Sequence, residues 1–154
     1  MRYQSLFLLG GHDLEMNAII QLLEEHHLIY KDRSLQWNNA YLSQYEQDLS
    51  LFKDNSSYKI YGIELQEDIV PPSNYVRIDH HNQYTKLPSA LEQIAELLHH
   101  PLNRWQQLIA INDKAYIPGL QQAGASQEEI LRIRFEDRKA QGVSINDELL
   151  AEKA

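Results

Sequence analysis

Four short runs rich in β-forming residues alternate with segments of helical period, and three of those runs end in a polar cluster. Residues 3–9 read as a buried strand followed by Gly10-Gly11. From Glu15 the spacing of Met16, Ile19, Ile20 and Leu23 predicts a helix. Residues 28–32 form a weaker strand candidate, and Tyr41, Tyr45, Leu49 and Phe52 recur at near-helical spacing. "YKIYGIEL" (58–65) and "NYVRID" (74–79) read as strands, separated by the break at Pro71-Pro72. Ser89 with Glu92, and Ser126 with Glu129, carry the capping-box pattern at the start of two further helices. Pro101 is expected to end the first of these and open a helix bearing Leu102, Trp105, Leu108 and Ile109. "YIPGLQQAGAS" is expected to be a loop, with the last of these helices running to about Gln141.

Strands alternating with helices imply an α/β fold, a mostly parallel sheet with helices on both faces. In such a sheet the C-terminal ends of the strands share one edge, where ligands bind. "GGHDLE" follows the first strand, Glu64 ends the third and "DHH" ends the fourth, so residues distant in sequence should converge there.

Composition removes several classes of chemistry. With no cysteine in 154 residues, disulfides, thiolate zinc sites and cysteine nucleophiles are absent. Any metal must be held by imidazole nitrogen and carboxylate oxygen, which suits manganese, magnesium, iron or zinc. A net charge of −8 argues against a broad surface for duplex nucleic acid. No apolar run approaches the length of a membrane span and the first residues lack a signal-peptide pattern, so a cytoplasmic location is the default expectation.

The candidate site residues are His12, Asp13, Glu15, Asn17, Glu64, Asp79, His80, His81 and Asp113. Carboxylates gathered at one edge repel one another unless cations intervene. Imidazole beside carboxylate suits one or two divalent ions, and the chemistry that follows is hydrolysis of a phosphate ester or anhydride. Two other histidine pairs, His26-His27 and His99-His100, lie near helix C-termini and read as structural, since the helix dipole favours histidine there. Trp37 and Trp105 read as core or rim residues.

"IDHHN" (78–82) resembles the signature of the DHH phosphoesterase superfamily, and three further segments resemble its other motifs in the same order: "GGHDLEMNAI", "YGIEL" and "AINDKAYIPGL". The wording is similar to that of an uncharacterised bacterial and archaeal branch, over roughly residues 1–140. The resemblance implies a Rossmann-like domain and a manganese-dependent phosphoesterase, with magnesium or another first-row ion as an alternative metal. Carried over by position, His12, Glu15 and Glu64 would hold one metal. Glu64, Asn17, His80 and Asp113 would surround the second, with Glu64 bridging. Asp79 would orient the paired histidines and His81 would face the scissile phosphate. Glu15 and Asn17 stand where the superfamily's pyrophosphatases have two aspartates, and Glu64 stands where aspartate is usual.

Catalytic members usually carry a second domain that supplies basic residues. Here residues 141–154 read as a C-terminal helix, able to join a partner chain or a twin, or as a linker towards an absent second domain. Without that domain, substrate phosphates would lean on Lys114, Arg77 and backbone amides. The expected function is a divalent-metal phosphohydrolase of a small phosphorylated or nucleotide substrate. The alternative is a nucleotide- or phosphate-binding module with weak or no turnover.

Overall fold

The structure, a computed structural model, describes residues 4–36, 39–79 and 88–142. Trp37, His80, His81 and the expected C-terminal helix beyond residue 142 lie outside the described residues. In chain order the elements are β1 (Gln4–Leu9), α1 (Leu14–Glu25), β2 (Ile29–Asp32), a 3-10 helix (Leu42–Tyr45) leading into α2 (Glu46–Phe52), β3 (Tyr58–Ile63), β4 (Tyr75–Ile78), α3 (Ala90–Leu97), α4 (Arg104–Gln122) and α5 (Gln127–Ala140). The four strands form one parallel sheet in the order β2-β1-β3-β4, a Rossmann-like α/β arrangement. No helix among the described residues is long and apolar enough to cross a membrane.

Strand periodicity sends alternate side chains to opposite layers. Phe7 and Leu9 of β1 join Tyr61 and Ile63 of β3 in a core covered by α1, α3, α4 and α5. Phe7 and Tyr61 stack there with ring centroids 4.9 Å apart. Leu6, Leu8 and Ile60 face the other way, onto Leu42, Tyr45 and Leu49 of the 3-10 helix and α2. Helices therefore cover both faces, as the alternating pattern implies.

Register aligns the strand ends. Leu9 pairs with Asp32 on one side and Ile63 on the other, and Ile63 pairs with Ile78. All four strands thus stop in one row. The connection from β1 leads outward to β2, and the chain then crosses back to β3 on the far side of β1, so the strand order reverses between β1 and β3. A crevice opens at such a reversal, outside the carboxyl ends of the strands.

The helix starts at Ser89 and Ser126 match expectation, each with a complete capping box. Two expectations about α4 are corrected. The helix opens at Asn103 rather than Pro101, because Asn103 and Gln106 satisfy each other's backbone N–H groups at 2.8 and 2.9 Å. Residues 117–122, expected as loop, are helical. The chain breaks helical geometry at Tyr116 (φ 53°, ψ −149°) and resumes with Pro118 in the first turn of the second segment. Proline's missing N–H costs nothing at that position, and fully buried Leu120 draws the turn into the core.

Gly10 sets the closest approach of β1 to β3. A Cβ there would sit 2.5 Å from the Glu64 carbonyl oxygen and 2.9 Å from that of Ile63. Backbone cannot step aside as a flexible side chain would. Gly10→Ala is expected to destabilise the fold by about 1–3 kcal/mol in urea denaturation. An unchanged midpoint would show that the strand ends are not packed this tightly.

Candidate metal centre

At the crevice between β1 and β3, Glu15, Glu64 and Asp113 each bring a carboxylate oxygen to within 4.8 Å of the others. Each arrives from a different element. Glu15 lies in the first turn of α1, Glu64 directly follows β3, and Asp113 lies on α4. Glu15 and Glu64 are 2% and 4% exposed.

Local chemistry explains each placement. Gly11, at φ 73°, turns the chain from β1 towards α1. Asp13 caps α1, its side chain accepting from the Met16 N–H at 2.8 Å. Glu15, two residues on, consequently points into the crevice, where its Oε2 sits 3.5 Å from the Leu91 N–H. Its Oε1 is fully buried and meets no N–H or hydroxyl donor among the described residues. Glu64 adopts the left-handed conformation (φ 56°) while its N–H donates to the Ile78 carbonyl at 2.8 Å. A non-glycine residue there costs about 1–2 kcal/mol. Such strain collects at functional sites.

The surroundings of these carboxylates are acidic. Burial raises the Glu15 carboxyl well above its usual range, with Glu64, Asp113 and Asp13 adding to the effect. Glu64 is likewise raised, by burial first and then by Asp113, Asp13 and Asp79, against a lowering side-chain hydrogen bond with Glu15. Asp13 is raised to about 7 by burial, assisted by Asp113 and Asp137 and opposed by the Met16 N–H. Two carboxylate charges 4.8 Å apart repel by roughly 3 kcal/mol at an effective dielectric of about 20. The α1 dipole offsets about 0.3–1 kcal/mol, up to about 2 in partly buried geometry. Repulsion wins. At neutral pH the cluster must either keep protons or take up a cation.

A second set of groups fixes the scaffold. Asp137 on α5 accepts from the Leu14 N–H at 3.2 Å and from the Asn112 side chain at 3.1 Å, and Arg134 donates to Asn112 Oδ1 at 3.1 Å. One carboxylate thus ties α5 to the start of α1 and to the residue before Asp113. From the other layer, the Tyr45 hydroxyl donates to the Leu9 carbonyl and accepts from the Arg33 N–H at 3.1 Å. Burial pushes that hydroxyl up to about 12, so it remains a donor.

The remaining predicted residues lie as follows. His12 Nε2 is 3.5 Å from Asp32 Oδ1, at the end of β2, with both side chains 26% exposed. Asp79 is half-buried, raises Glu64 electrostatically, and its carbonyl accepts from Gln93 at 3.0 Å. Asn17 is exposed, about 200° around α1 from Glu15 at 100° per residue. Arg77 is ion-paired with Glu67, and the Lys114 side chain lies outside the described residues. Asp137 and Asp32 were not anticipated. A signal for Asp137 exists, because it sits at helical spacing from Ile130 and Ile133, a polar residue on a core-facing stripe. The chain matches no family model, no curated protein and no solved structure.

The raised carboxyls have a thermodynamic consequence. Between the ordinary Asp value of 3.8 and about 7, the folded chain keeps on Asp13 a proton that the unfolded chain has released. Stability from this group is complete below the lower value and declines through the upper one, by about 1.4 kcal/mol per pH unit per proton. The metal-free protein should therefore lose thermal stability from about pH 5 to pH 7. Manganese added at pH 7 should restore it, and Asp13→Asn should flatten the slope. Stability that stays level or climbs over that interval without metal would contradict the electrostatic picture.

Proposed function

We propose that the chain is a divalent-metal phosphohydrolase, a member of the DHH phosphoesterase superfamily, acting on a phosphate ester or anhydride, with small nucleotides among its substrates. The observation that carries the proposal is the meeting of Glu15, Glu64 and Asp113 in the switch-point crevice, with a buried Glu15 oxygen that meets no N–H or hydroxyl donor among the described residues. The neighbour left to the Glu15 carboxyl is the Glu64 carboxyl, and two buried carboxyls in contact hold either a shared proton or a cation.

The donor set fits a hard or borderline divalent ion such as manganese or magnesium. When bound, such an ion polarises a phosphoryl oxygen and lowers the pKa of water. The chain's own part is to hold three anionic oxygens at fixed spacing and to exclude water from two of them by burial. Asp13 stands beside them, pinned at the cap of α1 and able to exchange a proton near neutral pH. By the motif resemblance, His80 joins the metal ligands, Asp79 orients the paired histidines, and His81 meets the developing phosphoryl charge.

A second reading, a phosphate- or nucleotide-binding module without turnover, draws support from charge. Among the described residues the charged side chains that shift Asp13, Glu15 and Glu64 are acidic, and Arg77 is engaged by Glu67. Substrate phosphate would then rely on the metal and on backbone amides.

Manganese-dependent release of p-nitrophenol from bis-(p-nitrophenyl) phosphate discriminates between the readings. Wild-type protein should turn over, and Glu15→Gln or Asp113→Asn should lower kcat by at least about a hundredfold. Manganese binding without turnover would favour the binding module. A folded protein with neither binding nor turnover would refute both.

A further inference from the structure

Far from the carboxylate crevice, two histidines from different helices meet. His26 Nε2 and His100 Nδ1 share a hydrogen bond of 3.0 Å, with ring centroids separated by 5.2 Å and planes inclined at 70°. We propose that this imidazole pair is a second metal site, binding a late first-row divalent ion, copper(II) above all.

The backbone mounts both rings rigidly. His26 is the C-cap of α1, its N–H bonded to the Leu22 carbonyl; His27 follows at φ 56°, and the Leu28 N–H reaches back to Leu23 at 2.9 Å. At the end of α3 the same closure recurs: His99 at φ 53°, and the His100 N–H reaching back to Ala95 at 2.9 Å. Both are the six-to-one closure that seals a helix end. Pro101 then restricts the backbone directly after His100. Little backbone entropy is left to lose when a ligand arrives.

Spacing selects the ion. Imidazole nitrogens lie about 2.0–2.1 Å from a bound metal, so two at right angles stand about 3.0 Å apart, whereas a tetrahedral pair needs about 3.4 Å. The hydrogen-bonded separation of 3.0 Å is already close to what right-angled ligation by copper(II) or nickel(II) needs, so an ion can replace the bridging proton with little movement of the rings, and copper binds more tightly in the divalent series. Ligation breaks the hydrogen bond: the donor ring shifts its proton to its outward nitrogen, and both facing lone pairs then serve one ion. The helix termini favour a cation too. α1 and α3 both direct their negative dipole ends here, and neither carries a basic residue in its last turn. The site is distinct from the carboxylate cluster, since Glu15 and His26 lie about 17 Å apart along α1 at 1.5 Å per residue.

The test is copper(II) titration of the full chain, buffered with glycine and in excess magnesium, read by calorimetry and by low-temperature electron paramagnetic resonance. Wild-type protein should bind one more equivalent than His26→Ala/His100→Ala, and that equivalent should show coupling to two imidazoles. Each single variant should retain coupling to one imidazole at most. His27→Ala/His99→Ala should leave the extra equivalent in place. The same number of equivalents in wild type and His26→Ala/His100→Ala would overturn the proposal, as would loss of the equivalent in His27→Ala/His99→Ala. All the rings are exposed or half-buried, and matching circular dichroism spectra would establish that every variant folds.

Discussion

Like charges cannot share a dry crevice without compensation, and the organisation of this molecule follows from that constraint. Glu15, Glu64 and Asp113 converge where water is largely excluded, with Asp13 and Asp79 close by. Among the described residues, the charges that shift Asp13, Glu15 and Glu64 are acidic. The fold could have filled this space with leucine and gained stability. Keeping carboxylates here sacrifices stability for something, and a bound cation is the simplest recipient.

The scaffold concentrates its strongest restraints around the same point. Gly10, directly after β1, lies against the Ile63 and Glu64 carbonyls with no room for a Cβ. The Tyr45 hydroxyl reaches from the opposite layer to the last carbonyl of β1. Asp137 connects α5 with the amide of Leu14 and the side chain of Asn112, so the helices bearing Glu15 and Asp113 are spaced by one carboxylate. Glu64 holds a left-handed backbone that glycine would adopt at lower cost. Together these restraints fix three oxygens contributed from positions about a hundred residues apart in the chain.

Much of this was legible in the sequence, for identifiable reasons. Strand periodicity and capping boxes are local signals, so β1, β3, β4 and the starts of α3 and α5 read correctly. Glu15 and Glu64 could be anticipated because parallel strands end on one edge, which turns sequence position into spatial position, whereas Asp113, on α4, was indicated by the resemblance of "AINDKAYIPGL" to a superfamily motif. The Pro118-Gly119 pair misled, since a proline that usually breaks a helix also opens one, and the burial of Leu120 decided between those outcomes. Asp137 and Asp32 depend on tertiary contacts that no local pattern encodes, although a polar residue on the apolar stripe of α5 was a usable hint. The meeting of His26 with His100 was hidden for the same reason: each pair reads as an ordinary helix end until α1 and α3 are packed together.

We propose that a divalent ion sits among the three carboxylates. Anomalous diffraction at the manganese edge, from crystals grown at pH 7 with manganese, addresses it most directly. A peak within coordination distance of Glu15, Glu64 and Asp113 is the expected result. Ordered crystals with manganese bound elsewhere, and these three side chains paired to one another through protons, would contradict it.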